Sequence, residues 1–158
     1  MPIYMKIDGI KGDVTAKGHE GWIDLSSCQL GVHRSVTSPS GRGANREATV
    51  PSVNEIVITK DLDSASTALF RASLWGEGKK VIIDFVGSDG VPYLTIELTN
   101  ALIANYNVSG HGGSAQSSPM ESLSINFTNI EYKTKTQPKD PKQASNLMEW
   151  RFAVDRIA

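Results

Sequence analysis

The residues of this chain that could transfer protons, bind metals or attack a substrate are few and poorly spaced for that chemistry. Its histidines are His19, His33 and His111. No two stand four apart and no HExxH puts a pair on one helix face, so a metal site would have to gather them from separate loops. Each reads as an isolated surface or turn histidine. Gly110-His111-Gly112-Gly113-Ser114 lacks the GxxxxGK(S/T) spacing that wraps backbone N–H groups around a phosphate, and reads as a flexible hairpin tip. No GxSxG elbow sets one serine apart as a nucleophile. Asp61 and Asp63 stand where a helix would begin and suit capping better than acid–base work. Cys28, the single cysteine, has no partner for a disulfide or CxxC site and reads as a small buried apolar residue. Asn107-Val108-Ser109 and Asn126-Phe127-Thr128 match the glycosylation tripeptide, but Asn126 falls inside a strand pattern and both read as chance matches. Arg42 and Arg46, balanced by Glu47 and without an aromatic beside them, make a poor nucleic-acid arm. The sequence therefore points to no enzyme, cofactor or metal site.

Composition narrows the partners further. The chain has 158 residues with 16 Lys+Arg against 17 Asp+Glu, a net charge of −1. Neither nucleic acid nor an anionic membrane surface is an expected partner, since neither meets a positive excess. A 39% hydrophobic fraction is enough for a core, and the length suits one domain spanning residues 1–158. The N-terminus shows no basic patch followed by an apolar run, and no run of about 18 apolar residues occurs, so neither a secretory signal nor a membrane helix is expected. On these grounds the chain folds in the cytoplasm.

The elements that would position these residues are mostly strands. Ile3, Met5 and Ile7 alternate with Tyr4, Lys6 and Asp8, the period of a half-buried strand. A second extended stretch runs from Glu20 to Arg34, and its apolar parity changes between Leu25 and Cys28, which predicts a bulge or a corner. Further strands are expected at Asn54 to Lys60, around Val81-Ile83-Phe85, and from Leu94 through Val108. Two more run from Leu123 on to Tyr132 and from Met148 to Val154. Strands at this frequency predict a barrel or sandwich. One segment, about 64–75, reads as a helix that Asp63 caps and that Gly76 ends in the left-handed conformation. Ala65, Ala68, Leu69 and Ala72 form its core stripe. Phe70 and Leu74 lie on another side, which needs a cover from a loop of this chain or from a neighbouring subunit. The segment of about 37–52 reads as a long extended loop, a length that is uncommon in compact domains and often functional.

As a set these blocks resemble the hemolysin-coregulated protein (Hcp) family, the tube subunits of bacterial type VI secretion. Tyr4-Met5-Lys6-Ile7-Asp8-Gly9-Ile10-Lys11-Gly12 with His19, Trp22-Ile23-Asp24-Leu25 and Gly31-Val32 is the first block. The most specific is Ile56-Val57-Ile58-Thr59-Lys60-Asp61-Leu62-Asp63-Ser64-Ala65-Ser66 running into Leu69. The third joins Tyr93-Leu94-Thr95-Ile96-Glu97-Leu98 to Glu121-Ser122-Leu123-Ser124-Ile125-Asn126-Phe127 and Ile130-Glu131-Tyr132. They follow the family's order to about residue 135; the segment after Lys133 fits it less well.

The resemblance implies a mainly β, two-sheet barrel with one flanking helix, assembling as a hexameric ring. Rings would stack into the inner tube, which a surrounding sheath expels with a spike at its tip, and small effectors would travel in the pore. Such a protein is made in the cytoplasm and leaves through the secretion machine to the extracellular space or a target cell. The partner is then chiefly the chain itself. Phe70 and Leu74 become candidates for a subunit interface, and Arg42 and Arg46 for ring–ring ion pairs, unless their loop is a solvated connection. Ser27 and Gln29, of one parity on a strand with few aliphatics, are candidates for lining the pore and touching cargo. The alternative is a small β-barrel module binding saccharide or single-stranded nucleic acid. Such binding leans on exposed aromatics, and most of the few here sit at core parity.

Overall fold

The computed structural model describes residues 1–37, 47–48, 50–113, 118–136 and 148–155. In chain order its strands are β1 (Ile3–Ile7), β2 (Ile23–Leu25), β3 (Ser27–Gln29), β4 (Val32–His33), β5 (Val36–Thr37), β6 (Glu47–Ala48), β7 (Ser52–Val53) and β8 (Ile56–Asp61). The helix α1 (Ser66–Trp75) follows, then β9 (Lys79–Val86), β10 (Pro92–Ser109), β11 (Met120–Asn126), β12 (Asn129–Thr136) and β13 (Met148–Asp155). Among the described residues no helix is long and apolar enough to cross a membrane.

The main ladder runs β2-β1-β9-β10-β11-β8-β3, with β12 and β13 continuing outward from the first half of β10. All of these pairs are antiparallel. β10 belongs to both sheets. Its first half pairs with β9 and β12, and its second half pairs with β11. The bend between them falls at Asn100, whose φ is 52°, and the pairing with β9 slips there. Opposite the bend the expected Leu123–Tyr132 strand is interrupted at residues 127–128. On either side of the interruption the register against β10 is continuous, with Leu102 facing Asn126 and Thr99 facing Asn129, and it slips by one residue further along, between Ile103 and Asn105. Phe127, only 2% exposed, fills the inside of the bend.

At the far end of the ladder the corner anticipated between Leu25 and Cys28 is present. Leu25 pairs with Ile3 on β1, while Ser27 pairs with Thr59 on β8. Ser26 makes the crossing and donates its N–H to the Thr59 carbonyl at 2.8 Å. The two ends of the ladder are thus consecutive pieces of one chain. Among the described residues no strand pairing closes the ladder, but the chain itself wraps the two sheets around one core. Met5, Ile23, Ile56, Ile58, Ile83 and Leu98 are wholly buried there, the inward half of each alternating pattern, together with Leu69 of the helix.

The helix has the expected Asp63 cap at its start and departs from expectation at its end. It starts at Ser66, and Asp63 caps the turn before it. Asp63 Oδ1 accepts from the Ala65 N–H at 2.9 Å, and Ser66 Oγ accepts from the Asp63 N–H at 2.9 Å, a reciprocal arrangement of the capping-box kind. Gly76 is extended, with φ −68° and ψ 141°, not left-handed. Glycine is needed there for space, because a Cβ would lie 2.2 Å from the Ala72 carbonyl oxygen. Only Ala65, Ser66 and Leu69 of the helical turn and helix are buried. Ala68, expected in the core stripe, is exposed, so α1 rests on a narrow line.

The segment read as an extended loop contains paired strands. Val32 faces Val53, His33 faces Ser52, Val36 faces Ala48 and Thr37 faces Glu47. Residues 32–37 thus pair with residues 47–48 and 52–53 as a two-stranded arm outside the main ladder. Arg42 and Arg46 lie outside the described residues.

Candidate functional site

The outer faces of the two sheets differ in chemistry, and the difference follows from register. Across β3, β8, β11 and β10 the outward positions form two rows, Gln29-Val57-Ser124-Asn105 and Ser27-Thr59-Ser122-Asn107. All eight are uncharged, and all but Val57 carry hydroxyl or amide groups. Ser27 and Thr59 hydroxyls are 2.5 Å apart, and Asn107 donates to Asn105 at 2.9 Å. Both candidate pore residues stand exposed at the edge strand of this face. Between them Cys28 turns toward the core, where burial pushes its thiol up to about 11.

The outer face of the other sheet carries ion pairs. Lys80 bonds Glu97 at 2.8 Å, and Lys133 lies 3.5 Å from Glu97 and 3.3 Å from Glu131. The Lys80 contact, chiefly its hydrogen bond, holds the Glu97 carboxyl below the usual range. Over the same face the segment between β1 and β2 folds back and brings His19 to Asp84. Of the expected surface or turn histidine, His19 keeps the turn, with its N–H on the Ala16 carbonyl, but it is 5% exposed and not isolated; its Nε2 is 2.9 Å from Asp84 Oδ2. Thr95 donates to the other carboxylate oxygen at 2.6 Å. The hydroxyl serves the carboxylate and not the imidazole, so the three groups form a buried clamp and not a nucleophile–base pair. His33 and His111 are exposed and far from such a cluster in sequence. Among the described residues no group of three metal-ligating side chains could hold an ion.

Charge also enters the core. Lys60 continues the inward parity of Ile56 and Ile58, and Glu121 that of Leu123 and Ile125; the two face each other across β8 and β11. Both are wholly buried. Lys60 Nζ donates to Glu121 Oε2 at 2.6 Å, to the Asp61 carbonyl at 2.7 Å and to Asp63 Oδ1 at 2.8 Å. Glu121 also accepts from Ser66 Oγ at 2.8 Å and from the Tyr106 hydroxyl. Burial acts to raise its carboxyl, but the hydrogen bonds from Lys60, Tyr106 and Ser66 outweigh it and hold the group below the usual range. The signal for this pair was its parity; the partner choice depends on a register that parity alone does not fix.

Phe70 and Leu74 lie on the outside of α1, 52% and 54% exposed, and no described loop of the chain covers them; the neighbouring Trp75 is 77% exposed. The Phe70 ring rests against Tyr106, with centroids 5.5 Å apart. On the arm, Val32, Val36 and Val50 are also more than half exposed. The structure does not bring Ser27 and Gln29 together with Phe70 and Leu74. The first pair lies on a sheet face and the second on the helix.

Comparison with known proteins places this arrangement. The family model described as "Type VI secretion system effector, Hcp" matches residues 4–133. Among solved structures, one titled "Structure of a type six secretion system protein" is similar with a TM-score of 0.81 and 21% identity, covering 94% of each chain. Hcp1 from Salmonella typhimurium gives 0.77 at 22% identity, covering 98% of this chain and 94% of its own. The secreted protein Hcp3 from Pseudomonas aeruginosa gives 0.63 at 20%, covering 99% of both. No curated protein matches the chain.

Proposed function

From the premise that this chain belongs to the Hcp family of type VI secretion proteins, we propose that it is a structural tube subunit, a single domain of which six copies form a ring. Rings stack into the inner tube, and small effectors ride in the pore. The protein works by assembly and transport and not by catalysis. It is made in the cytoplasm and leaves through the machine, with the tip spike and the sheath as its other partners.

The observation that carries ring formation is the apolar surface one copy leaves open. An isolated two-stranded ribbon is marginal in water, yet the arm has exposed valines, and α1 exposes Phe70 and Leu74. A neighbouring copy supplies the cover that the described residues do not. The face bearing the uncharged rows of Ser27 and Gln29 is assigned to the pore, and the ion-paired face to the outside of the ring. Arg42 and Arg46, which lie between β5 and β6 in sequence, are assigned to the contact between rings.

Size exclusion with light scattering, followed by negative-stain imaging, tests the reading. The expected species has about six times the 17.1 kDa protomer mass and appears as rings. A protomer-sized species at high concentration, without rings, overturns it. Reversing Arg42 and Arg46 to Glu should leave hexamers intact and hinder stacking; unchanged tubes would remove the assignment of that pair.

A further inference from the structure

The Lys60–Glu121 pair is buried at a place where two apolar residues would fill the space, so its use lies in what the charges hold. Replacing a buried ion pair by apolar residues of similar volume is often neutral or stabilising, whereas a hydrogen-bonded pair fixes direction. Here the bonds converge on one element. Lys60 reaches Asp63, and Glu121 reaches Ser66, so both charges grip the capped turn from which α1 departs. A second route leaves from the other oxygen of Glu121. That oxygen accepts from the Tyr106 hydroxyl, and the Tyr106 ring supports Phe70 one turn into the helix. Asp13 also ties that turn down, accepting from the Ser64 N–H at 3.0 Å and from its hydroxyl at 2.5 Å, but beyond the turn the helix itself has little to orient it. It carries no acidic residue in its first turn and no basic one in its last, and buries only Ser66 and Leu69.

We propose that Lys60 and Glu121 are positioning residues for assembly: through Ser66 and Tyr106 they set the pose of α1 and so the direction in which Phe70 meets a neighbouring copy. The inference rests on the ring reading above and names residues, wholly buried, that touch no neighbour themselves. Phe70 is the contact, and the pair acts through it.

The test uses the full chain with Lys60→Met and Glu121→Leu together, which removes both charges and strands neither. Far-UV circular dichroism and the urea midpoint should match wild type. Ring dissociation on dilution should occur at a concentration at least about tenfold higher, and α1 amides should exchange at least about tenfold faster. Phe70→Ala should weaken rings alone, and adding it to the double variant should bring little further loss, as expected of coupled residues. Tyr106→Phe, which keeps the ring and loses the hydroxyl, gives a milder weakening and serves if the double variant does not fold. Wild-type dissociation and α1 exchange in the double variant would overturn the inference, as would a loss that adds in full to that of Phe70→Ala. If wild type forms no rings, the ring reading fails instead. The α1 exchange rate then still decides whether the pair sets the helix pose, and unchanged exchange refutes it.

Discussion

His19 Nε2 lies 2.9 Å from Asp84 Oδ2 across 65 residues of sequence, clamping the segment between β1 and β2 onto the middle of β9. The imidazole is packed edge-on to Trp22, with centroids 4.7 Å apart, and lies 5.1 Å from the Tyr4 ring. Removing it leaves a nearly buried carboxylate with Thr95 as its remaining bonded partner. His19→Ala should therefore cost about 2–4 kcal/mol, the range for stranding a buried charged partner. Asp84→Asn should cost less, since an amide oxygen still accepts from one of the two donors. Urea denaturation of both variants, read as the shift in midpoint at constant slope, checks the order.

Acid should loosen the fold through Glu121. Its carboxyl titrates near 4.5 when unperturbed and lower in the folded protein. Above 4.5 both states are ionised and the stabilisation is complete. As pH falls below 4.5 the unfolded chain takes up the proton first, and stability declines until the folded carboxyl is protonated as well. Glu97, held low first by its hydrogen bond from Lys80, adds in the same direction, so the comparison needed is between slopes. Glu121→Gln should be less stable than wild type at pH 7, because Lys60 loses its main counter-charge. Below pH 4.5 it should lose stability less steeply. Equal slopes in thermal melts from pH 3 to 6 would refute a role for this carboxylate.

Alternation made most strands legible, and the parity change at Cys28 made the corner legible as well. The less regular parts were hidden for identifiable reasons. The arm strands are two residues long, too short for a period of two to show. Gly76 has the position of a left-handed helix end, but its geometry is set by the Ala72 carbonyl, a contact of packing. Lys60 and Glu121 show core parity in their own segments, yet 61 residues separate them, and only the antiparallel register sets one opposite the other. The same holds for the outer face near Ser27 and Gln29. Those two could be read as outward, while the absence of charge in the two rows they begin needs β8, β10 and β11 placed beside them.

Cys28 should be a slow thiol. Burial raises it from 9.0 to about 11, which leaves about a hundredfold less thiolate at neutral pH, and thiolate is the reactive form. Maleimide labelling of the native protein at pH 7 should run at least tenfold slower than in urea. Equal rates would mean that the corner between β2 and β3 opens readily and that the sheets are less firmly joined at Ser26 than the 2.8 Å bond there implies.

Gln29 and Ser27 should recognise cargo without charge. Their rows offer hydroxyls, amides and one valine, so any guest held there is bound through hydrogen bonds and close packing, and such contacts are weakly screened by salt. Cargo binding should therefore change little between 50 and 500 mM NaCl, whereas contacts that use the ion-paired face of the other sheet should weaken. Gln29→Arg introduces a cation onto a face with no carboxylate in either row. It should abolish export of a co-expressed cargo while rings form as before, and Gln29→Asn, which keeps the amide, should retain part of it. Ser27→Ala removes the partner of Thr59 at an exposed position and should shift stability by less than about 0.5 kcal/mol, so a loss of cargo in that variant reports recognition and not folding. Cargo export unchanged by both Gln29→Arg and Ser27→Ala would take the pore off this face.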